Sequence, residues 1–256
     1  MKVVVLKVFV LAAYAMVIAV NALANTLPLG GKTTGEVSDR YENLFTPAGV
    51  TFSIWGVIYL LLGAYVLHTL LMPKGTIEGS FRMTVIGVFL LSSFLNVAWL
   101  FAWHYERMML SVFVMAGLLV TLAVAFVVIP ATSALTRSAF SVYFAWISVA
   151  MIANVTVYLV KIGFGGFGLS ETAWLVIVLA LGVLLSAVVL MQMRDILFGL
   201  VFLWAYAGIL LRHLSEDLIG NMRPFVLSYI GLCIVAIFSF TLYVFITNGM
   251  RPFGKT

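Results

Sequence analysis

The chain has 256 residues, of which 64% are hydrophobic and only 9% charged, with a mean hydropathy of +1.19; soluble domains carry roughly a quarter charged residues. That much apolar surface excludes a soluble globular domain and predicts an all-α integral membrane protein of about eight transmembrane helices. The net charge of +5 is small, and its basic residues fall between apolar runs rather than on one face, which excludes nucleic acid as a partner.

Helices are the expected spanning element, because the apolar runs are continuous and lack the period-two alternation of barrel strands. The first run covers about Val3 to Ala24, with Lys2 and Lys7 at its start. Ala22-Leu23-Ala24 resembles a signal-peptidase site, so two readings stand: a cleaved signal sequence, or a first transmembrane helix with Asn21 near its outer end. The interruption by Lys7 favours the helix. The polar segment Asn25 to Thr46 follows, with Gly30-Gly31 and with Lys32, Glu36, Asp39, Arg40 and Glu42. Connections this long are uncommon without a role, and it reads either as a lid over a cavity or as a solvated connector.

The second crossing, Phe45 to His68, organises the rest. Thr46 is the expected N-cap and Pro47 the expected first helical residue, where a missing N–H costs nothing. About twenty uncharged residues follow, enough to cross a hydrocarbon core of roughly 30 Å. At helical spacing Phe52, Trp55 and Tyr59 form one stripe, and Ser53, Gly56 and Gly63 form a neighbouring seam where another helix can come close. The third crossing, Thr84 to His104, puts Ser92, Asn96, Trp99 and Trp103 on one face. The fourth, Met108 to Ile129, is a packing helix that ends at Pro130. The fifth, Ser141 to Val160, aligns Tyr143, Trp146, Ala150 and Asn154, with Lys161 at the far end. A glycine-rich turn, Gly163 to Gly168, marks the expected boundary between residues 1–165 and 166–256. The sixth crossing (Ala173 to Met193), the seventh (ending at Arg212-His213) and the eighth (Phe225 to Ile246) precede a short basic tail that includes Lys255.

With an even number of crossings, Lys and Arg divide eight to six in favour of the side holding both termini, which places the termini in the cytoplasm of a bacterial inner membrane. Flat aromatic walls with a few amides suit a planar, mostly apolar ligand that stacks on rings and hydrogen-bonds at its edge. Buried amides equally serve as glue between helices, so Asn96 and Asn154 carry both readings. Lys161 and Arg212-His213 are expected to snorkel at helix ends. His68, His104, His213 and the lone Cys233 show no ligand spacing, so neither a metal nor a cofactor is expected. No nucleophile elbow and no mid-membrane carboxylate point to an enzyme or a proton-coupled pump.

These stripes resemble the TspO/MBR family, the tryptophan-rich sensory proteins related to the peripheral benzodiazepine receptor. Pro47, Phe52, Trp55 and Tyr59 are similar to the pattern of that family's second helix, with Phe shifted by one. Leu95-Asn96-Val97-Ala98-Trp99 matches its third, and Tyr143, Trp146, Ala150 and Asn154 match its fifth. The loop 25–46 lacks the family's Trp, Val142 stands where a Pro is usual, and three further crossings extend the five-helix pattern. The resemblance implies a five-helix bundle over residues 1–165. It also implies a sensor or binding protein for a porphyrin-like ligand, held by Trp55, Tyr59, Asn96, Trp99, Trp103, Tyr143, Trp146, Ala150 and Asn154. A small-molecule transporter and a membrane scaffold are the alternatives, and light-dependent porphyrin degradation is a minor one. The expected partners are the lipid bilayer, a tetrapyrrole or other apolar small molecule, and a second copy of the chain as a homodimer.

Overall fold

A computed structural model of the chain describes residues 2–26, 29–77 and 81–254; positions 27 and 28 of the predicted polar segment and Lys255 of the tail lie outside the described residues. The helices are α1 (Lys2–Thr26), α2 (Thr34–Asp39), α3 (Ile54–Leu71), α4 (Lys74–Ile77), α5 (Phe81–His104), α6 (Met108–Val128), α7 (Ala134–Lys161), α8 (Glu171–Met193), α9 (Ile196–Ser215) and α10 (Arg223–Thr247). Eight of them are long and apolar enough to cross a membrane. Among the described residues the regular structure is otherwise four short 3-10 turns and an isolated bridge between Asp195 and Phe253. The chain is an all-α integral membrane protein.

Two compact units divide the chain, one of Met1–Val37 with Trp55–Ile147 and one of Ser38–Ile54 with Ser148–Thr256. The division falls inside α7, whereas the glycine-rich turn lies within the second unit.

In the first unit α5 packs on both α6 and α1. The turn between α5 and α6 closes through Arg107 N–H to Ala102 O at 2.8 Å, with Glu106 in the left-handed region at φ 54°. Two polar anchors tie α1 down. Lys7 Nζ donates to Leu70 O at 2.8 Å and Met72 O at 2.6 Å, capping the carbonyls that the end of α3 leaves open. Tyr14 Oη donates to Tyr59 O at 3.0 Å. Gly63, in the predicted small-residue seam, leaves the room this needs, because a Cβ there would run into the Tyr14 hydroxyl.

The fifth crossing starts at Ala134 rather than Ser141. Arg137, which falls between the expected fourth and fifth crossings, is therefore helical and buried. Its guanidinium donates to Phe126 O and, at 3.1 Å, to Ile129 O, and its Cζ lies 3.9 Å over the Phe126 ring. Open carbonyls at the end of α6 and an aromatic face replace the water this cation lacks, so the charge does not end the helix.

In the second unit α8, α9 and α10 pack on one another. Small residues let them close up: Gly182 faces the Tyr206 hydroxyl, which donates to Leu179 O at 2.6 Å, and Gly199 faces Thr241. Asp195 caps α9 by accepting from Leu197 N–H at 3.2 Å.

The entry to the second crossing differs from expectation. A 3-10 turn, Gly49–Ser53, precedes α3, and Ala48 is extended at ψ 146°. Pro47 is therefore outside the helix, and the Thr46 hydroxyl accepts from Asn43 Nδ2 at 2.9 Å instead of capping. The cause is tertiary, because residues 44–51 form a strap along α9. Trp204 Nε1 donates to Thr51 O at 2.9 Å, Ala48 N–H to Gly208 O at 3.0 Å, Arg212 Nη1 to Thr46 O at 3.3 Å and His213 Nε2 to Leu44 O at 2.9 Å. Trp204, Gly208 and Arg212 are spaced four apart, one stripe of α9 matched to an extended segment. Arg212 and His213 are 9% and 1% exposed, so they bind the strap rather than snorkel. Lys161 stays exposed, with Nζ 5.9 Å over the Tyr41 ring.

Candidate ligand-binding site

Helices α3, α5 and α7 carry the predicted aromatic residues at intervals of three and four, so each helix shows one continuous aromatic face. Within the first unit these faces meet at Trp55. Its ring stacks on Tyr59 (centroids 5.6 Å apart) and on Trp99 (6.3 Å), and meets Tyr143 (6.1 Å) and Trp146 (6.3 Å) edge to face. Trp99 stacks in turn on Trp103 at 5.8 Å. Seven of the nine predicted residues are thus brought together, because the Tyr143 ring also borders the Asn96 amide. Ala150 and Asn154 continue the α7 stripe at positions four and eight beyond Trp146, but they belong to the second unit.

Asn96, Trp99, Trp103, Tyr143 and Trp146 are buried, whereas Trp55 and Tyr59 on α3 are half-buried. Rings at these separations are in contact, each pair adding roughly 0.5–1.5 kcal/mol beyond area burial. One polar atom stands out in this apolar setting: Trp99 Nε1 is a buried donor without a hydrogen-bond acceptor among the described residues, while the Asn96 amide lies against the Tyr143 hydroxyl. The Asn96 oxygen is already used, accepting from Asn21 Nδ2 at 2.9 Å. Asn96 is therefore glue between α1 and α5 through its oxygen.

The polar segment closes the Trp103 end. Trp103 Nε1 donates to Thr34 O at 3.1 Å, and Lys32 Nζ pairs with Glu106 Oε1 at 2.6 Å. Gly30 and Gly31, at φ 67° and 78°, make the turn that lays this segment over the end of α5. At Gly30 a Cβ would come 3.3 Å from the His104 carbonyl oxygen. Sequence reasoning missed Asn21, Lys32, Thr34 and Glu106 here. The Gly-Gly pair before Lys32 was the one local signal for them.

Comparison with curated proteins and with solved structures returned no match. A family model for TSPO-like proteins matches residues 7–244, taking in the three C-terminal crossings as well as the aromatic helices. By that match the chain belongs to the TSPO-like family, as a multi-pass integral membrane protein of a sensor or binding type.

Proposed function

We propose that the cluster around Trp55 is a binding site for a planar, mostly apolar ligand with hydrogen-bond acceptors on its edge, of the tetrapyrrole class, and that the protein senses or holds this ligand without transforming it. The observation that carries the reading is the buried open donor Trp99 Nε1, beside the Asn96 amide inside a wall of stacked rings. Leaving a buried donor unmet costs about 1–3 kcal/mol. Packing alone would favour apolar residues at these positions, whereas a ligand with an acceptor edge recovers that cost on binding. The stacked rings offer flat faces, and the Lys32–Glu106 and Trp103–Thr34 contacts supply a closure that can open.

The test is a fluorescence titration of the detergent-solubilised protein with protoporphyrin IX, beside Trp99→Ala and Trp146→Ala variants. Saturable quenching that is lost in both variants is the expected result. Equal affinity in the parent and both variants would remove the site. An absence of saturable binding in the parent would move transport and scaffolding ahead of ligand sensing.

A further inference from the structure

The second unit contains a half-open cleft of about 470 Å³, within the 300–1,000 Å³ usual for small-molecule sites. It shares no lining residue with the aromatic cluster. One wall is α7 from Met151 to Val160, and the facing wall is α8 from Glu171 to Leu181. Each is about 14–15 Å long at 1.5 Å per residue. Val155, Leu159, Leu175 and Val178 make the interior aliphatic.

Apart from Thr156, whose hydroxyl donates to Ile152 O at 2.9 Å within α7, the polar lining groups lie at one end. There the cleft is bordered by Glu42 and Asn43 of the strap's approach and by Glu171 at the start of α8. Both carboxylates belong to exposed residues. The Asn43 side chain is occupied with the turn, its oxygen accepting from Phe45 and Thr46 N–H at 3.0 and 2.9 Å. The glycine-rich turn finishes this end. Trp174 Nε1 donates to Gly166 O at 2.8 Å, Phe164 lies 6.1 Å from the Trp174 ring, and any side chain at Gly166 would collide with that indole. The strap wall is likewise fixed, since Arg212 and His213 bind the Thr46 and Leu44 carbonyls. The cleft is held open by built contacts rather than left by loose packing.

An aliphatic slot with two carboxylates at its mouth has the polarity of a single-chain amphiphile with a positive head. We infer that this cleft binds a cationic alkyl amphiphile, with its chain between α7 and α8 and its ammonium group at Glu42 and Glu171. Charge complementarity selects this occupant over a fatty acid: the two lining carboxylates outnumber the cation at that end, Lys161, whose ammonium is turned over the Tyr41 ring.

Trp174 lines the slot, so bromine on an alkyl chain quenches it from inside. The protein in phosphatidylcholine nanodiscs is titrated with ω-bromododecyl-trimethylammonium and with ω-bromododecanoate, and the Trp174 signal is taken as the difference from Trp174→Phe. Saturable quenching by the ammonium is expected, with weaker binding of the carboxylate. Glu42→Gln with Glu171→Gln should weaken the ammonium about tenfold and erase the preference between heads. Val155→Phe and Val178→Phe fill the slot from opposite walls and should each abolish saturation, so a variant that fails to fold leaves the other to decide. Quenching that never saturates, or that survives both filling variants, overturns the proposal. So does strong Trp174 quenching in nanodiscs of brominated phosphatidylcholine without added amphiphile, because bulk lipid would then be the occupant.

Discussion

Asn21 Nδ2 donates to Asn96 Oδ1 across 2.9 Å between α1 and α5, and this bond sets which way the Asn96 amide faces. With the oxygen turned to α1, the nitrogen is presented to the rings of the aromatic cluster. Asn21→Leu removes the partner and leaves the Asn96 oxygen unmet. Unfolding measurements should show a loss of about 1 kcal/mol, the usual scale for such a bond inside a membrane protein. A double-mutant cycle with Asn96→Leu should give a coupling of similar size. Additive losses would mean that the two amides do not depend on each other.

The strap along α9 gives a second prediction. Arg212→Met keeps the aliphatic stem but removes the donor to Thr46 O. The expected cost is about 1–3 kcal/mol, because the carbonyl it leaves is buried. Amide exchange should speed up in residues 44–51 before the rest of α9 is affected. Unchanged exchange there would show that the Arg212 bond does not hold the strap.

Much of the aromatic site was legible in the sequence, because Trp55, Tyr59, Trp99, Trp103, Tyr143 and Trp146 obey a helical period that survives folding. The start of α3 was not. Thr46 and Pro47 carry a good local start signal, and it lost to a bond between Ala48 and Gly208, residues that no local pattern connects. Arg137 and Arg212 were misread for a related reason. A charge in an apolar sequence looks like a boundary or a snorkelling side chain, yet both are buried against backbone carbonyls from other segments. Carbonyls left open at helix ends and in extended segments have no signature in side-chain composition. The cleft between α7 and α8 was invisible for the same reason, since its walls read as ordinary lipid-facing aliphatics.

Gly208 should tolerate no side chain. A Cβ there would overlap the Thr51 hydroxyl and methyl groups of the strap. Gly208→Ala is expected to lower stability by about 1–3 kcal/mol, the range for overpacking. Gly231→Ala, in α10 with open space around the added atom, is the control and should be neutral or slightly stabilising. Equal midpoints for the two variants would remove Gly208 from the strap's packing.

The start of α2 should respond to acid. Thr33 N–H donates to Glu36 Oε2 at 2.7 Å, and Glu36 N–H donates back to Thr33 Oγ1 at 3.3 Å, a capping box. Those bonds, the backbone one foremost, hold the Glu36 carboxyl below its ordinary range. A depressed carboxyl contributes stability that is full above its unfolded pKa and is lost as pH falls through the folded value. Exchange of the Thr33 amide should therefore rise on acidification below the normal glutamate range, and Glu36→Gln should flatten that dependence. A Thr33 amide indifferent to pH in the parent protein would exclude the box.

The last prediction concerns the side of the membrane. Eight spans put the α9–α10 loop and the residues after α10 on opposite faces, and the Lys and Arg balance predicts the cytoplasmic face for the latter. In a Cys233→Ser background, which removes the chain's single thiol, Asp217→Cys and Arg251→Cys each introduce one exposed site. A membrane-impermeant maleimide added to intact cells should label position 217 and spare position 251 until the membrane is opened. The reverse pattern would invert the protein. The mouth of the α7–α8 cleft, which lies at the α7–α8 turn, would invert with it, and a cationic amphiphile would then have to be supplied from the cytoplasm instead of from outside.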